Sequence, residues 1–195
     1  MTRSFRGNLA AASVLLFAMV SGGAVRAQGV KLRATPSVYL DSKGSNLLAP
    51  QGVACRARQL AVADTGNGRF VLYDLGDRMA TPQAEFAVAE LSNPVEIHFD
   101  PKGNLLALDG KSRKIGRVGV DGTFQGFVAI ESGGGPSPVT RGFAVGAEGS
   151  LYVLDVAGGR VLVTMGEGKF VRQILLPPDC RAPSGVAVDA TGKVF

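Results

Sequence analysis

The chain has 195 residues, 46% of them hydrophobic and 19% charged, with 27 Gly, 10 Pro, no Trp and one His. Average usage is roughly 25% charged and roughly 7% Gly, so charge is low here and glycine about twofold enriched. This excludes a disordered tail and a coiled coil, and the absence of a three-residue glycine period excludes collagen, leaving a turn-rich, all-β globular chain.

The first 27 residues read as a targeting segment. Met1–Gly7 carries Arg3 and Arg6 and no acid, Leu9–Val20 is an apolar run of twelve residues, and small residues lead into Ala24-Val25-Arg26-Ala27. A basic start, a short apolar middle and a Val-x-Ala ending predict a secretory signal peptide, residues 1–27, cleaved near Ala27. Twelve residues are too few for the ~20 of a membrane-spanning helix, so the mature chain is expected to be exported, periplasmic or extracellular, with no transmembrane span. Without those residues the chain keeps 18 basic and 16 acidic side chains, and net +2 gives no general attraction to nucleic acid. Two cysteines remain, Cys55 and Cys180.

Next in chain order comes an N-terminal segment, 28–47, and after it an internal repeat. Leu60-Ala-Val-Ala-Asp64 returns as Leu105-Leu-Ala-Leu-Asp109 and Leu151-Tyr-Val-Leu-Asp155. Each Asp is followed five residues later by a base: Arg69, Lys114 and Arg160. Upstream, Pro50-Gln-Gly-Val-Ala matches Asn93-Pro-Val-Glu-Ile-His, Thr140-Arg-Gly-Phe-Ala and Pro183-Ser-Gly-Val-Ala. The units run about 48–92, 93–137, 138–181 and an incomplete 182–195. Within a unit, Val53/Cys55, Ile97/Phe99, Phe143/Val145 and Val186/Val188 alternate with period two, as a half-buried strand does. Gly/Asn/Asp turns separate this strand from the Asp-ending strand and from a third run such as Phe70–Tyr73. A weaker fourth strand falls near Phe86–Val88, Phe124–Ile130 and Phe170–Leu176. Four antiparallel strands per ~45 residues predict the blades of a β-propeller.

Pro50-x-Gly52-Val-Ala followed by Leu60-Ala-Val-Ala-Asp64-Thr-Gly-Asn-Gly-Arg69-Phe-Val-Leu-Tyr-Asp74 resembles the NHL repeat, over Leu48–Phe195 and most closely in the first unit. The resemblance implies a six-bladed ring closed by a strand from the chain's start, with segment 28–47 the candidate for that strand, and use as a binding platform. Related propellers include lyases and lactonases with a metal at the central channel. At ~45 residues per unit the mature 168 residues hold about 3.7 blades. The chain is therefore expected to be a C-terminally truncated piece of a ring, and by itself poorly soluble or oligomeric.

Two residue sets carry the functional expectations. The recurring pairs Asp64/Arg69, Asp109/Lys114 and Asp155/Arg160 span a turn and are expected to clasp a hairpin; a carboxylate repeated in every blade marks the fold, not catalysis. Glu96 and His98 stand where the other units have Gly and Ala, and with Asp100 are expected to form one polar stripe on the channel-lining strand, a candidate ligand contact. Cys55 takes the place of Phe99, Val145 and Val188 and is expected to be buried, with no Cys55–Cys180 disulfide. Lys111, Arg113, Lys114 and Arg117 are expected at one basic hairpin tip, read as a solvated loop. No EF-hand spacing, Ser-His-Asp set or Cys-x-x-Cys pair implies a cofactor, so none is expected. The resulting expectation is an exported binding or scaffolding propeller for a protein or small-molecule ligand, with no catalysis evident. The alternative is a lyase- or lactonase-type propeller enzyme with a channel metal.

Overall fold

Short β-branched and leucine-rich runs, each cut off by a Gly-, Asn- or Asp-containing turn, pair with their nearest neighbours in sequence. A computed structural model describes residues 38–77 and 79–195; the expected signal peptide, residues 1–27, and residues 28–37 lie outside the described residues. Among these are three four-stranded antiparallel sheets. The first holds β1 (Gly52–Arg56), β2 (Gln59–Asp64), β3 (Arg69–Leu75) and β4 (Ala80–Phe86). The second holds β5 (Pro94–Phe99), β6 (Leu105–Asp109), β7 (Ile115–Val118) and β8 (Phe124–Phe127). The third holds β9 (Thr140–Val145), β10 (Leu151–Asp155), β11 (Arg160–Thr164) and β12 (Phe170–Leu175). In each sheet the strands lie side by side in chain order, as propeller blades require.

The middle strands β6, β10 and β11 are buried along their whole length, which is why they read as unbroken apolar runs; the fourth strands are largely exposed and read weakly. Blades one and two bury Ala61, Phe70 and Leu72 against Ile97, Leu105 and Val118. Blades two and three bury Leu106, Leu108 and Ile115 against Phe143, Leu151 and Leu162. Blade three in turn covers Tyr152, Leu154 and Val163 with Val186, Val188 and Val194 of the fourth unit. That unit is represented by a Val188–Val194 bridge and a reciprocal pair of Ala187–Phe195 backbone hydrogen bonds.

First strands converge: β1 lies against β5 and β5 against β9. A Cβ on Gly52 would sit 3.2 Å from the Glu96 Cα, tighter than an ordinary contact, so glycine lets the two strands approach without displacement. This row is the inner edge of the blades.

One expectation fails here. Cys55 is exposed, not buried, and so is Val53 at 63%. Ile97 and Phe143, the counterparts of Val53, are buried against the preceding blade, and Phe99 and Val145, the counterparts of Cys55, are half-buried there, whereas among the described residues nothing covers the Val53/Cys55 face of β1. Residues 38–47 pair with no strand of the first sheet. They fold into a turn bridged at Leu40–Asn46 that lays Val38 and Leu47 over Val62, Val71 and Tyr73.

Candidate functional site

The inner edge is where unit two departs from its siblings. Glu96 lies opposite Leu108, as Gly52 lies opposite Ala63 and Gly142 opposite Leu154. Innermost strands have an unpaired edge, and such edges leave backbone donors without partners. Glu96 supplies one: its Oε2 accepts the Phe143 N–H of β9 at 3.1 Å, tying blade two to blade three. Its Oε1 lies 3.3 Å from His98 Nε2, and the His98 ring stands edge-on to Phe143 at 4.8 Å between centroids. Both side chains stay about one-third exposed, 29% for Glu96 and 33% for His98, so the pair is latched yet reachable.

Asp100 does not complete the stripe. It follows the end of β5, and its carboxylate turns to its own loop, accepting from Asn104 N and Asn104 Nδ2 at 2.8 Å each. A side chain that closes a turn cannot also continue the line of the strand before it. Beyond the turn, Asp100 faces Arg117 Nε at 3.8 Å.

The recurring carboxylates do more than clasp hairpins. Asp64 accepts the Leu48 N–H, Asp109 the Asn93 N–H and Asp155 the Val139 N–H, each sixteen residues upstream. Every Asp thus pins the segment leading into its blade. Each also takes a donor from the following turn: Asn67 Nδ2, Ser112 N or Gly158 N. Arg69 Nε and Arg160 Nε complete two of the three sets at 2.8 and 2.9 Å. The guanidinium then reaches on, Arg69 to Asp41 and Glu85, Arg160 to Gln173 and the Ser132 and Pro136 carbonyls. One arginine therefore joins the leading segment, the central hairpin and the fourth strand.

Lys114 breaks the pattern. It makes no pair with Asp109 but lies exposed over the Phe127 ring, 5.2 Å from its centroid. A compact ammonium lacks the fork with which arginine spans several acceptors. Burial pushes the Asp109 carboxyl up, but the N–H bonds from Ser112 and Asn93 outweigh it and hold it below the usual carboxylate range. Asp41 behaves alike: burial works upward, while the Ser45 N–H and Arg69 bring it down.

Arg117 is not at the basic tip with Lys111, Arg113 and Lys114. It stands on β7 opposite Leu106, facing blade three, and donates from Nη2 to the Gly166 carbonyl at 2.7 Å. Among the described residues no group of three or more His, Cys, Asp or Glu side chains clusters as a metal site. Cys55 and Cys180 are both free thiols.

Several of these contacts lie beyond sequence reasoning. Donors from Leu48, Asn93 and Val139 are backbone groups and leave no residue-type mark; only the constant spacing to Asp hints at them. Arg117 was legible as the one charge in a position held elsewhere by Leu72 and Val163.

No family model matches the chain, and no curated protein is recognisably similar in sequence. Solved structures are similar in fold. Glutaminyl cyclase from Myxococcus xanthus superposes with a TM-score of 0.57 at 19% identity, over 75% of this chain and 66% of that one. Catalytically inactive virginiamycin B lyase from Staphylococcus aureus, with quinupristin, gives 0.55 at 16%, over 74% and 47%. Hydrazine synthase from Kuenenia stuttgartiensis gives 0.55 at 17%, over 83% and 44%. All are β-propeller proteins, and the chain is built of β-propeller blades. It spans about half the length of the lyase structures it matches.

Proposed function

We propose that this chain belongs to an exported binding propeller, with blades of NHL-repeat type closing a six-membered ring, and that the Glu96–His98 pair is its ligand contact on the channel side. The observation that carries the reading is the pair itself. At positions where sibling blades keep Gly and Ala, two ionisable side chains face the inner edge at 3.3 Å and remain one-third exposed. Half-buried ionisable pairs are characteristic of binding and proton-transfer sites.

His98 is the only histidine, so its ring proton resonance reports the channel without ambiguity. Screening that resonance against small organic acids, amines, sugars and short peptides is expected to find a class that moves it. Glu96→Gln, which keeps an acceptor for the Phe143 N–H, is expected to abolish the response while the melting temperature holds. A resonance that no class moves, or that moves equally in Glu96→Gln, overturns the assignment. A lyase- or lactonase-type enzyme is the second reading, favoured by the same carboxylate–imidazole pair. It requires a metal in the full-length protein, so stoichiometric metal in purified protein separates the two.

A further inference from the structure

On the third strands, the position packed toward the next blade is apolar in two blades and charged in one. Leu72 on β3 lies opposite Ala61 and is 7% exposed, packed toward blade two. Val163 on β11 lies opposite Tyr152 and is 5% exposed, packed toward the fourth unit. The same place on β7, opposite Leu106, holds Arg117. A guanidinium between two blades gives up the apolar contact its siblings make and must find polar partners instead. It finds them incompletely. Nη2 donates to Gly166 O, but Nε is buried without a hydrogen bond, the nearest carboxylate oxygen, Asp100 Oδ2, lying 3.8 Å away. Asp100 is already occupied by Asn104.

Beside this side chain a cleft of about 310 Å³ opens between blades two and three. That volume falls at the small end of the range for small-molecule sites. The basic side chains lie on one wall. Blade two contributes Arg117 and Lys102, together with Asp100, whose carboxylate is held by Asn104; blade three contributes Glu148 and Glu167 from the turns that end β9 and β11. Among the described residues Lys102, Glu148 and Glu167 form no ion pair. Between the two walls the lining is apolar, from Leu106 and Met165. A simple anion would meet the glutamates, and a simple cation would meet Arg117 and Lys102. A molecule with both charges at opposite ends satisfies each wall.

We propose that this inter-blade cleft binds a small zwitterion, an α-amino acid with an apolar side chain. Its carboxylate is taken by the free edge of Arg117, its ammonium by Glu148 and Glu167, and its side chain lies on Leu106 and Met165. The site is separate from the Glu96–His98 pair, and either can stand without the other.

The test uses the full chain and three matched probes: L-leucine, 4-methylpentanoate, which lacks the ammonium, and isoamylamine, which lacks the carboxylate. Calorimetric titration, with the Arg117 Nε–H resonance as the local reporter, is expected to show leucine binding with Kd of about 1 mM or tighter, a scale set by a few charged contacts. Each half-molecule is expected to bind at least tenfold more weakly. Arg117→Leu restores the residue type of blade one, so it is expected to fold and to melt no lower than the parent while losing leucine at least tenfold. Arg117→Lys is expected to bind with intermediate affinity. Equal binding of all three probes, no binding of leucine, or unchanged binding in Arg117→Leu would each overturn the proposal. An Arg117→Leu protein that melts much earlier, together with a parent that ignores leucine, would instead make Arg117 a strap to Gly166.

Discussion

Single side chains explain where this protein is sensitive to acid. The Asp109 and Asp41 carboxyls titrate below the unfolded value of about 3.9, so in acid the unfolded chain binds the extra protons. The stabilisation they give is complete above about pH 4 and is lost as pH falls through their lower folded values. Chemical denaturation followed from pH 6 to pH 2 is expected to show Asp109→Asn less stable at neutrality and flatter in acid than the parent; an unchanged acid limb would refute this. Lys114 offers the converse experiment. Replacing it by arginine restores the fork that Arg69 and Arg160 use, beside a carboxylate already in place. Lys114→Arg is expected to stabilise by about 0.3–1 kcal/mol in the midpoint of urea denaturation, the range for a partly exposed pair.

Among the elements, turns and inner edges decide more than strand propensity. Gly168, between β11 and β12, holds φ at +96°, and a Cβ there would approach the Ala129 carbonyl oxygen, a backbone atom with no freedom to retreat. Gly168→Ala is therefore expected to cost about 1–3 kcal/mol, read as a drop in thermal midpoint; a neutral result would mean that the segment holding Ala129 is free to shift. On the inner edge, Glu96→Ala leaves the buried Phe143 N–H without its acceptor, a loss of about 1–3 kcal/mol, whereas Glu96→Gln retains it. Comparing the two by equilibrium unfolding isolates the latch from the charge, and equal stability of both would remove the latch.

For the molecule as a whole, the repeat was legible and its boundary surface was not. Period-two alternation and the recurring Asp placed the first three strands of each blade in order, because nearest-neighbour pairing leaves little freedom once the turns are known; the exposed fourth strands were less legible, and β4 runs Ala80–Phe86, upstream of the expected Phe86–Val88. The Glu96–His98 neighbourhood was legible from the same alignment, since polar residues at small-residue positions stand out. Asp100 misled because side-chain direction changes where a strand becomes a turn. Cys55 misled because burial depends on a neighbouring blade, which no residue of β1 encodes. That face gives a direct comparison. Val53→Ala is expected to change stability by no more than about 0.5 kcal/mol in this chain, while Ile97→Ala, its counterpart, costs about 2–5 kcal/mol. Similar losses at the two sites would mean that the β1 face is covered in solution.

The carboxylate that pins the leading segment of each blade also bears on how fast the chain can order itself. All-β proteins are usually slow because distant strands must meet, and folding rate falls as the mean separation of contacting residues grows. Here the captured N–H and its Asp are sixteen residues apart in every blade, so the closing contact is as local as the hairpins themselves. The entropic cost of closing a loop rises only logarithmically with its length, and it is met once per blade, not once for the ring. Each unit can therefore lock behind itself before the next one is complete. Pulse-labelled hydrogen exchange is expected to protect the Leu48, Asn93 and Val139 amides in the same kinetic phase as the β2–β3, β6–β7 and β10–β11 hairpins respectively. Protection of all three amides in one late, common phase would mean that the blades close together.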